Sequence, residues 1–289
     1  MSVVKIIECP RDAMQGLEKF IPTDLKAGYI NALLKVGFDT IDFGSFVSPK
    51  AIPQLRDTEN VLKKLKIGNS KSKLLAIIAN LRGAEDACRF EEINFLGFPF
   101  SISETFQKRN TNSTIEESLK RVGEIQNLCI ANKKEMTIYI SMAFGNPYGD
   151  QWNKDIAIGW IEKLSSRFDA KIFSLADTIG ASDPATISYM FSSLIPSFPH
   201  LEFGAHLHTT PETWKEKVSA AFENGCSRFD SAILGLGGCP MAADKLVGNM
   251  PTENLISFLK EKNLETGINE AAFSRVSNKA LEIFSVRDL

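Results

Sequence analysis

Short apolar runs alternate along the chain with longer stretches in which apolar residues recur at helical spacing. The runs fall at residues 3–8, 40–43, 74–78, 93–96, 137–141, 172–175, 203–207 and 229–234. They are near-continuously apolar rather than alternating, as expected of parallel strands covered on both faces. Strands that alternate with helices predict a parallel sheet. Eight such units in this length predict an α/β fold closed into a (β/α)₈ TIM barrel, with residues 1–289 forming one catalytic domain. Several helix ends are legible. Ser113-Thr114-Ile115-Glu116 reads as a capping box, followed by Leu119, Val122 and Leu128 at helical spacing. Pro211 sits near the start of a helix over 210–224, which Gly225 ends. Two further helical stretches, 252–262 and 268–283, follow the eighth strand; the first closes the barrel and the last extends it.

Composition narrows the function classes. The chain has 289 residues, a net charge of −2 and 44% hydrophobic residues. A core of that size needs neither disulfides nor structural metal. The near-neutral balance gives no general pull towards nucleic acid or membrane, so a phosphate-bearing ligand needs a local basic patch. The five cysteines, Cys9, Cys88, Cys129, Cys226 and Cys239, form no CxxC pair and are odd in number. That argues against a disulfide framework or a thiolate zinc site and for a reducing cytoplasm. The first strand begins almost at once, which leaves no room before it for a signal or transit peptide. No apolar run approaches the roughly 20 residues that span a bilayer.

Barrel active sites lie at the C-terminal ends of the strands, so polar residues there are the candidates for chemistry. The first strand runs into Arg11 and Asp12. The second carries Asp42 and then Ser45. The sixth runs into Asp177, the seventh ends in His206-Leu207-His208, and the eighth leads to Gly235-Leu236-Gly237-Gly238-Cys239-Pro240. Residues two apart on a strand share a face, so both imidazoles of the His-x-His pair point towards the mouth and can grip one cation. The plainer alternative is two polar residues bonded to neighbours. With Asp12 and Asn249 from other loops, the pair forms a mixed nitrogen and oxygen set that suits Mg or Mn, with zinc also compatible.

Arg11 next to Asp12 suits stabilisation of an enolate oxygen as charge develops. Asp42 on an apolar strand is costly unless paired; it orients Arg11 or a catalytic water. Asp177 is a catalytic candidate, or alternatively the cap of a helix that starts after Thr178-Ile179-Gly180. Cys239 follows three glycines that permit loop movement, and its thiol could relay a proton, whereas Cys88, Cys129 and Cys226 read as packing. Lys108 and Arg109, in the loop after the fourth strand with Asn110, are candidates for the phosphates of a coenzyme A handle. Gln15 and Ser45 join them as candidate substrate contacts.

These motifs together resemble the 3-hydroxy-3-methylglutaryl-CoA lyase family, part of a wider metal-dependent TIM-barrel lyase and synthase superfamily. Arg11-Asp12, Ser45-Phe46-Val47-Ser48-Pro49-Lys50, Asp177-Thr178-Ile179-Gly180, His206-Leu207-His208 and Gly235 to Pro240 occur in that family's order. The resemblance runs from the first strand to the final helix, and the Gly-Leu-Gly-Gly-Cys-Pro segment is its most specific part. It implies cleavage of 3-hydroxy-3-methylglutaryl-CoA to acetyl-CoA and acetoacetate. It also implies metal ligation by Asp12, His206, His208 and Asn249, enolate stabilisation by Arg11, and proton transfer by Cys239 and His206. Asn110 and its basic neighbours match the region that approaches the CoA. Barrels of this family often pair, so the resemblance allows a homodimer, although no interface is legible in the sequence.

The chain departs from the pattern at several points. Cys9 and Ala13 stand where the family usually has glycine, Asp42 where it has glutamate, Thr209 where it has aspartate, and Asn146 where it has cysteine; the segment from Cys239 to Asn249 is slightly longer. Two rivals stay open: the same chemistry on another acyl-CoA or a 2-keto acid, and a non-catalytic relative that binds metal or acyl-CoA.

Overall fold

The structure, a computed structural model, describes residues 4–238 and 247–284. Its strands are β1 (Lys5–Glu8), β2 (Thr40–Ser45), β3 (Lys73–Ile77), β4 (Ile93–Ser101), β5 (Glu135–Ser141), β6 (Ile172–Ala176), β7 (Glu202–His206), β8 (His208–Thr209), β9 (Arg228–Ser231) and β10 (Gly248–Asn249). Its helices are α1 (Pro10–Gln15), α2 (Thr23–Leu33), α3 (Thr58–Leu62), α4 (Leu81–Cys88), α5 (Glu104–Thr111), α6 (Ile115–Ala131), α7 (Lys154–Phe168), α8 (Pro184–Ser197), α9 (Trp214–Glu223), α10 (Thr252–Glu261) and α11 (Glu270–Phe284). Strands β1 to β7 and β9 pair in parallel and in order, and β9 closes on β1. The expected eight-stranded parallel barrel is therefore present, with α10 and α11 after its last strand.

Every apolar run of the sequence becomes a barrel strand, with shifted ends. The largest shift is β4, which continues through Gly97 and Pro99 to Ser101. Gly97 ends nothing because it is a packing glycine. A Cβ there would lie 2.5 Å from the tip of Ile77 and 3.1 Å from the Tyr139 ring, so its bareness admits neighbouring side chains into the barrel. The capping box sits one residue later than the sequence suggests. Thr114 caps α6 and pairs with Glu117, because the Ser113 hydroxyl is taken up by Thr111 and Gln107. Helix α9 begins at Trp214 rather than near Thr210, and Gly225, at φ 92°, follows its end.

Alternation along the strands separates two interiors. Ile6, Ile41, Phe43, Leu74, Leu96 and Phe98 face the helices in one continuous apolar layer. Burial of each such side chain contributes roughly 1.5–3 kcal/mol. Inside the barrel, Leu75, Phe95, Tyr139 and Ile172 form a small apolar plug. Alongside it lie buried polar residues at the alternate positions, Asp42, Thr137, Ser174, Arg228 and Asp230. The polar residues matter because the strands lift some of them to the mouth. Among the described residues, no helix is long and apolar enough to cross a membrane.

Candidate active site

The chain turns sharply after β1 into the six-residue helix α1, which opens with Pro10. Arg11 and Asp12 thus lie on a helix rather than in an open loop, both buried. Arg11 is held on several sides. Its Nε and Nη2 donate to Asp42 Oδ2 at 2.9 and 2.6 Å, and its Nη1 donates to Asp12 Oδ1 and to Gln15 Oε1, each at 2.8 Å. Among the described residues these bonds leave one Nη2 hydrogen without a partner. Asp42 comes from β2, and of its two expected roles the structure shows the first, that of orienting Arg11. Burial pushes its carboxyl up to about 6 against the pull of the Arg11 charge. Gln15 is bound to Arg11. The Ser45 hydroxyl donates to Ile77 O at 3.2 Å and accepts from the Val47 amide at 3.3 Å, which shapes the turn after β2.

The two histidines arrive on different pieces of sheet. Strand β7 ends at His206. Beyond Leu207, whose carbonyl accepts from the Met250 amide, His208 belongs to β8, which pairs antiparallel with β10 and sets His208 opposite Asn249. Both imidazoles still face one place, with ring centroids 5.3 Å apart. One ligand atom each from Asp12, His206 and His208 lies within 4.8 Å of the others, a grouping able to hold a metal ion. Asn249 joins them: its Nδ2 donates to Asp12 Oδ2 at 2.6 Å and to Leu236 O at 2.8 Å. Close packing at this point requires a glycine. Gly237 has φ 94°, and a Cβ there would fall 2.6 Å from Asn249 Nδ2 and 2.7 Å from Asp12 O.

The donor set fits a divalent cation on the structure's own terms. His208 Nε2 is buried with no hydrogen-bond partner among the described residues. Burial and the neighbouring His206 press its imidazole down to about 4, so it is neutral and its lone pair is available. Burial alone would raise the Asp12 carboxyl, but Arg11, His206, the Asn249 hydrogen bond and His208 outweigh it and hold it at about 2. A neutral imidazole and an ionised carboxylate are the forms a metal takes.

Other expectations change. Asp177 caps no helix: Asp183 caps α8. The Asp177 carboxylate accepts from the Ser182 amide and hydroxyl at 2.9 and 2.5 Å and from Lys217 Nζ at 2.8 Å. It is committed to structure, and the same Lys217 ammonium donates to His208 O at 3.0 Å. Lys108, Arg109 and Asn110 lie exposed on α5, not on a loop. This helix is fixed at the mouth by Asp150, which accepts from Ser103 and Thr105. Lys108 pairs with Glu104 at 3.2 Å, and Arg109 sits 4.7 Å over the Tyr148 ring. Cys9 is buried and Cys226, Cys129 and Cys88 are free thiols in or beside the core; Cys239 lies outside the described residues. The sequence alone does not single out Lys217, Tyr139, whose ring meets His206 edge-on at 5.8 Å, or Asp230 beside His206 Nδ1. An acid on an apolar strand, the signal that exposed Asp42, also marks Asp230.

Known proteins are similar to this chain over most of its length. The HMGL-like family model matches residues 4–279. This chain belongs to the HMGL-like family. Among its relatives, hydroxymethylglutaryl-CoA lyase YngG of Bacillus subtilis is 34% identical over 267 residues, covering 90% of this chain and 85% of that protein. The cytoplasmic 3-hydroxy-3-methylglutaryl-CoA lyase of Homo sapiens is 33% identical, covering 92% and 71%. An HMG-CoA lyase from Acenitobacter baumannii, solved in complex with coenzyme A and 3-methylmalate, superposes with a TM-score of 0.89 at 31% identity, covering 98% of this chain and 92% of its own. Two of the altered positions of this HMGL-like chain, Asn146 and Asp42, have local explanations. Asn146 braces its loop by accepting from the Tyr148 and Asp150 amides, and Asp42 still reaches Arg11 although it is one methylene shorter than glutamate.

Proposed function

We propose that the chain is a divalent-metal-dependent carbon–carbon lyase that cleaves 3-hydroxy-3-methylglutaryl-CoA to acetyl-CoA and acetoacetate. The observation that carries the reading is the convergence of Asp12, His206 and His208 beside an arginine that four hydrogen bonds hold in place. Family membership and relatives at one-third identity support the substrate. Asp12, His206, His208 and Asn249 would hold Mg or Mn. When bound, the ion supplies Lewis acidity towards the substrate's oxygens.

The residues then divide the work. A water near Asp42 takes the proton of the 3-hydroxyl, because His206 would spend its free ring nitrogen on the ion. The bond between C2 and C3 breaks, C3 becomes the ketone of acetoacetate, and the electron pair passes to the thioester as an enolate. Arg11, rigidly held by Asp42 and Gln15, stabilises that oxyanion. A proton then returns to C2, and Cys239 is assigned to deliver it on the resemblance alone. Lys108, Arg109 and Asn110 on α5 are assigned to the phosphates of the CoA. A cytoplasmic location belongs to the same reading, supported by the free thiols of Cys9, Cys88, Cys129 and Cys226.

The test is acetoacetate release from 3-hydroxy-3-methylglutaryl-CoA with Mg or Mn and after chelation by EDTA, beside a panel of other acyl-CoA esters. Metal-dependent acetoacetate release is expected. Turnover of a different ester alone would move the substrate assignment. Binding of metal and acyl-CoA without any turnover would favour the non-catalytic alternative.

A further inference from the structure

Below the histidines the barrel interior carries charge that neither the metal set nor the Arg11 cluster uses. Asp230 is the register partner of His206 across β7 and β9, so both side chains enter the barrel at one level. The Asp230 carboxylate is 3% exposed as a residue and directs one oxygen, Oδ2, at His206 Nδ1, 3.1 Å away; the same oxygen accepts from the Ser174 hydroxyl at 3.2 Å. One layer further in, Arg228 fills the space left by Gly204, where a Cβ would lie 3.0 Å from its Cδ. Arg228 Nη1 donates to Glu202 Oε1 at 3.1 Å, while its Nε and Nη2 have no hydrogen-bond partner among the described residues, and neither has Asp230 Oδ1.

Two roles are open to Asp230: the buried counter-charge of Arg228, or the group that sets the His206 ring. The hydrogen bonds decide between them. Asp230 makes its contacts to His206 and Ser174, and no bond joins it to the arginine. We infer that Asp230 is a positioning residue for His206. It accepts the Nδ1 proton, so the tautomer and the ring plane are fixed and the Nε2 lone pair faces Asp12 and His208. Arg228 supplies the charge that makes a carboxylate tolerable at this depth. The inference rests on the metal-site reading above and adds a residue to it that does not touch the ion.

The experiment measures Mn²⁺ dissociation constants by electron paramagnetic resonance of the free ion, and Tm by calorimetry in EDTA, on four full-length proteins: wild type, Asp230→Asn, Arg228→Met and the double variant. Asp230→Asn is expected to weaken Mn²⁺ binding by about tenfold or more, the usual cost of losing such a second partner of a ligating histidine. Both single variants lose Tm, because each strands one buried polar partner. In the double variant Tm returns towards wild type while Mn²⁺ binding stays weak. Wild-type Mn²⁺ affinity in Asp230→Asn, or recovery of both Tm and affinity in the double variant, overturns the inference and leaves Asp230 a counter-ion. If Asp230→Asn fails to fold, Asp230→Glu keeps the charge beside Arg228 but displaces the acceptor. Weakened Mn²⁺ binding is expected there, and unchanged binding overturns the inference. Absence of Mn²⁺ binding in the wild type would instead overturn the metal-site reading, and this one with it.

Discussion

Arg11 is the residue whose chemistry is most constrained by its neighbours. Its planar fork meets Asp42 through two nitrogens and Asp12 and Gln15 through the third. Lysine would keep the charge but not that geometry. Arg11→Lys is therefore expected to lower kcat by about 10²–10³, the scale seen when a preorganised oxyanion donor is lost, with KM little changed. Steady-state kinetics on 3-hydroxy-3-methylglutaryl-CoA check this; near-wild-type kcat would remove Arg11 from the reaction. Arg11, Asp12 and the histidines were legible because each stands in a short, distinctive stretch of sequence. Asp230 and Lys217 were not, because their meaning lies in partners 24 and 40 residues away, and only the closed barrel brings those together. Asp177 misled for the same reason: an aspartate ahead of a helix looks like a cap until the helix is seen to start under Asp183.

At the scale of elements, the strands were legible from their apolar runs, and the small elements that finish the site were not. The two-residue strands β8 and β10 have no periodicity to read, yet their pairing places Asn249 against His208. Helix α5 looks like a loop in the sequence because its polar, basic residues give no apolar stripe. As a helix with its start fixed by Ser103 and Asp150, it presents Lys108 and Arg109 from a rigid base. This predicts a selective effect. Lys108→Ala combined with Arg109→Ala should raise KM for the CoA ester by about tenfold, the size of one or two lost phosphate contacts at about 1 kcal/mol each, and leave kcat nearly unchanged. The same thioester on a phosphate-free pantetheine should be turned over alike by both proteins. An equal KM change for both thioesters would show that α5 affects the pocket as a whole and not the phosphates.

At the scale of the whole molecule, closure of the barrel joins residues at opposite ends of the chain, and Glu8 is part of that seam. It leaves β1 on the side facing the helices. Its carboxyl accepts from the Ile233 amide at 3.0 Å and from the Thr252 hydroxyl at 2.6 Å, which ties the first strand to the turn after the last strand and to α10. Burial raises this carboxyl from the ordinary 4.5 to about 8, the two hydrogen bonds offsetting only part of the cost. Between those values the folded protein keeps a proton that the unfolded chain has released. The group's contribution is therefore whole below about pH 4.5 and is lost as pH rises through about 8. Glu8→Gln keeps a hydrogen-bonding side chain of the same size and removes the charge. In EDTA, the Tm of Glu8→Gln relative to wild type should climb between about pH 5 and about pH 9. The gain should be several degrees, at roughly 2–4 °C per kcal/mol for a chain of this size. The histidines and aspartates of the site titrate in both proteins and cancel in the difference. A Tm difference that stays flat across this range would mean that Glu8 ionises normally in the fold, and that the seam is held by the barrel's backbone pairing and apolar layer alone.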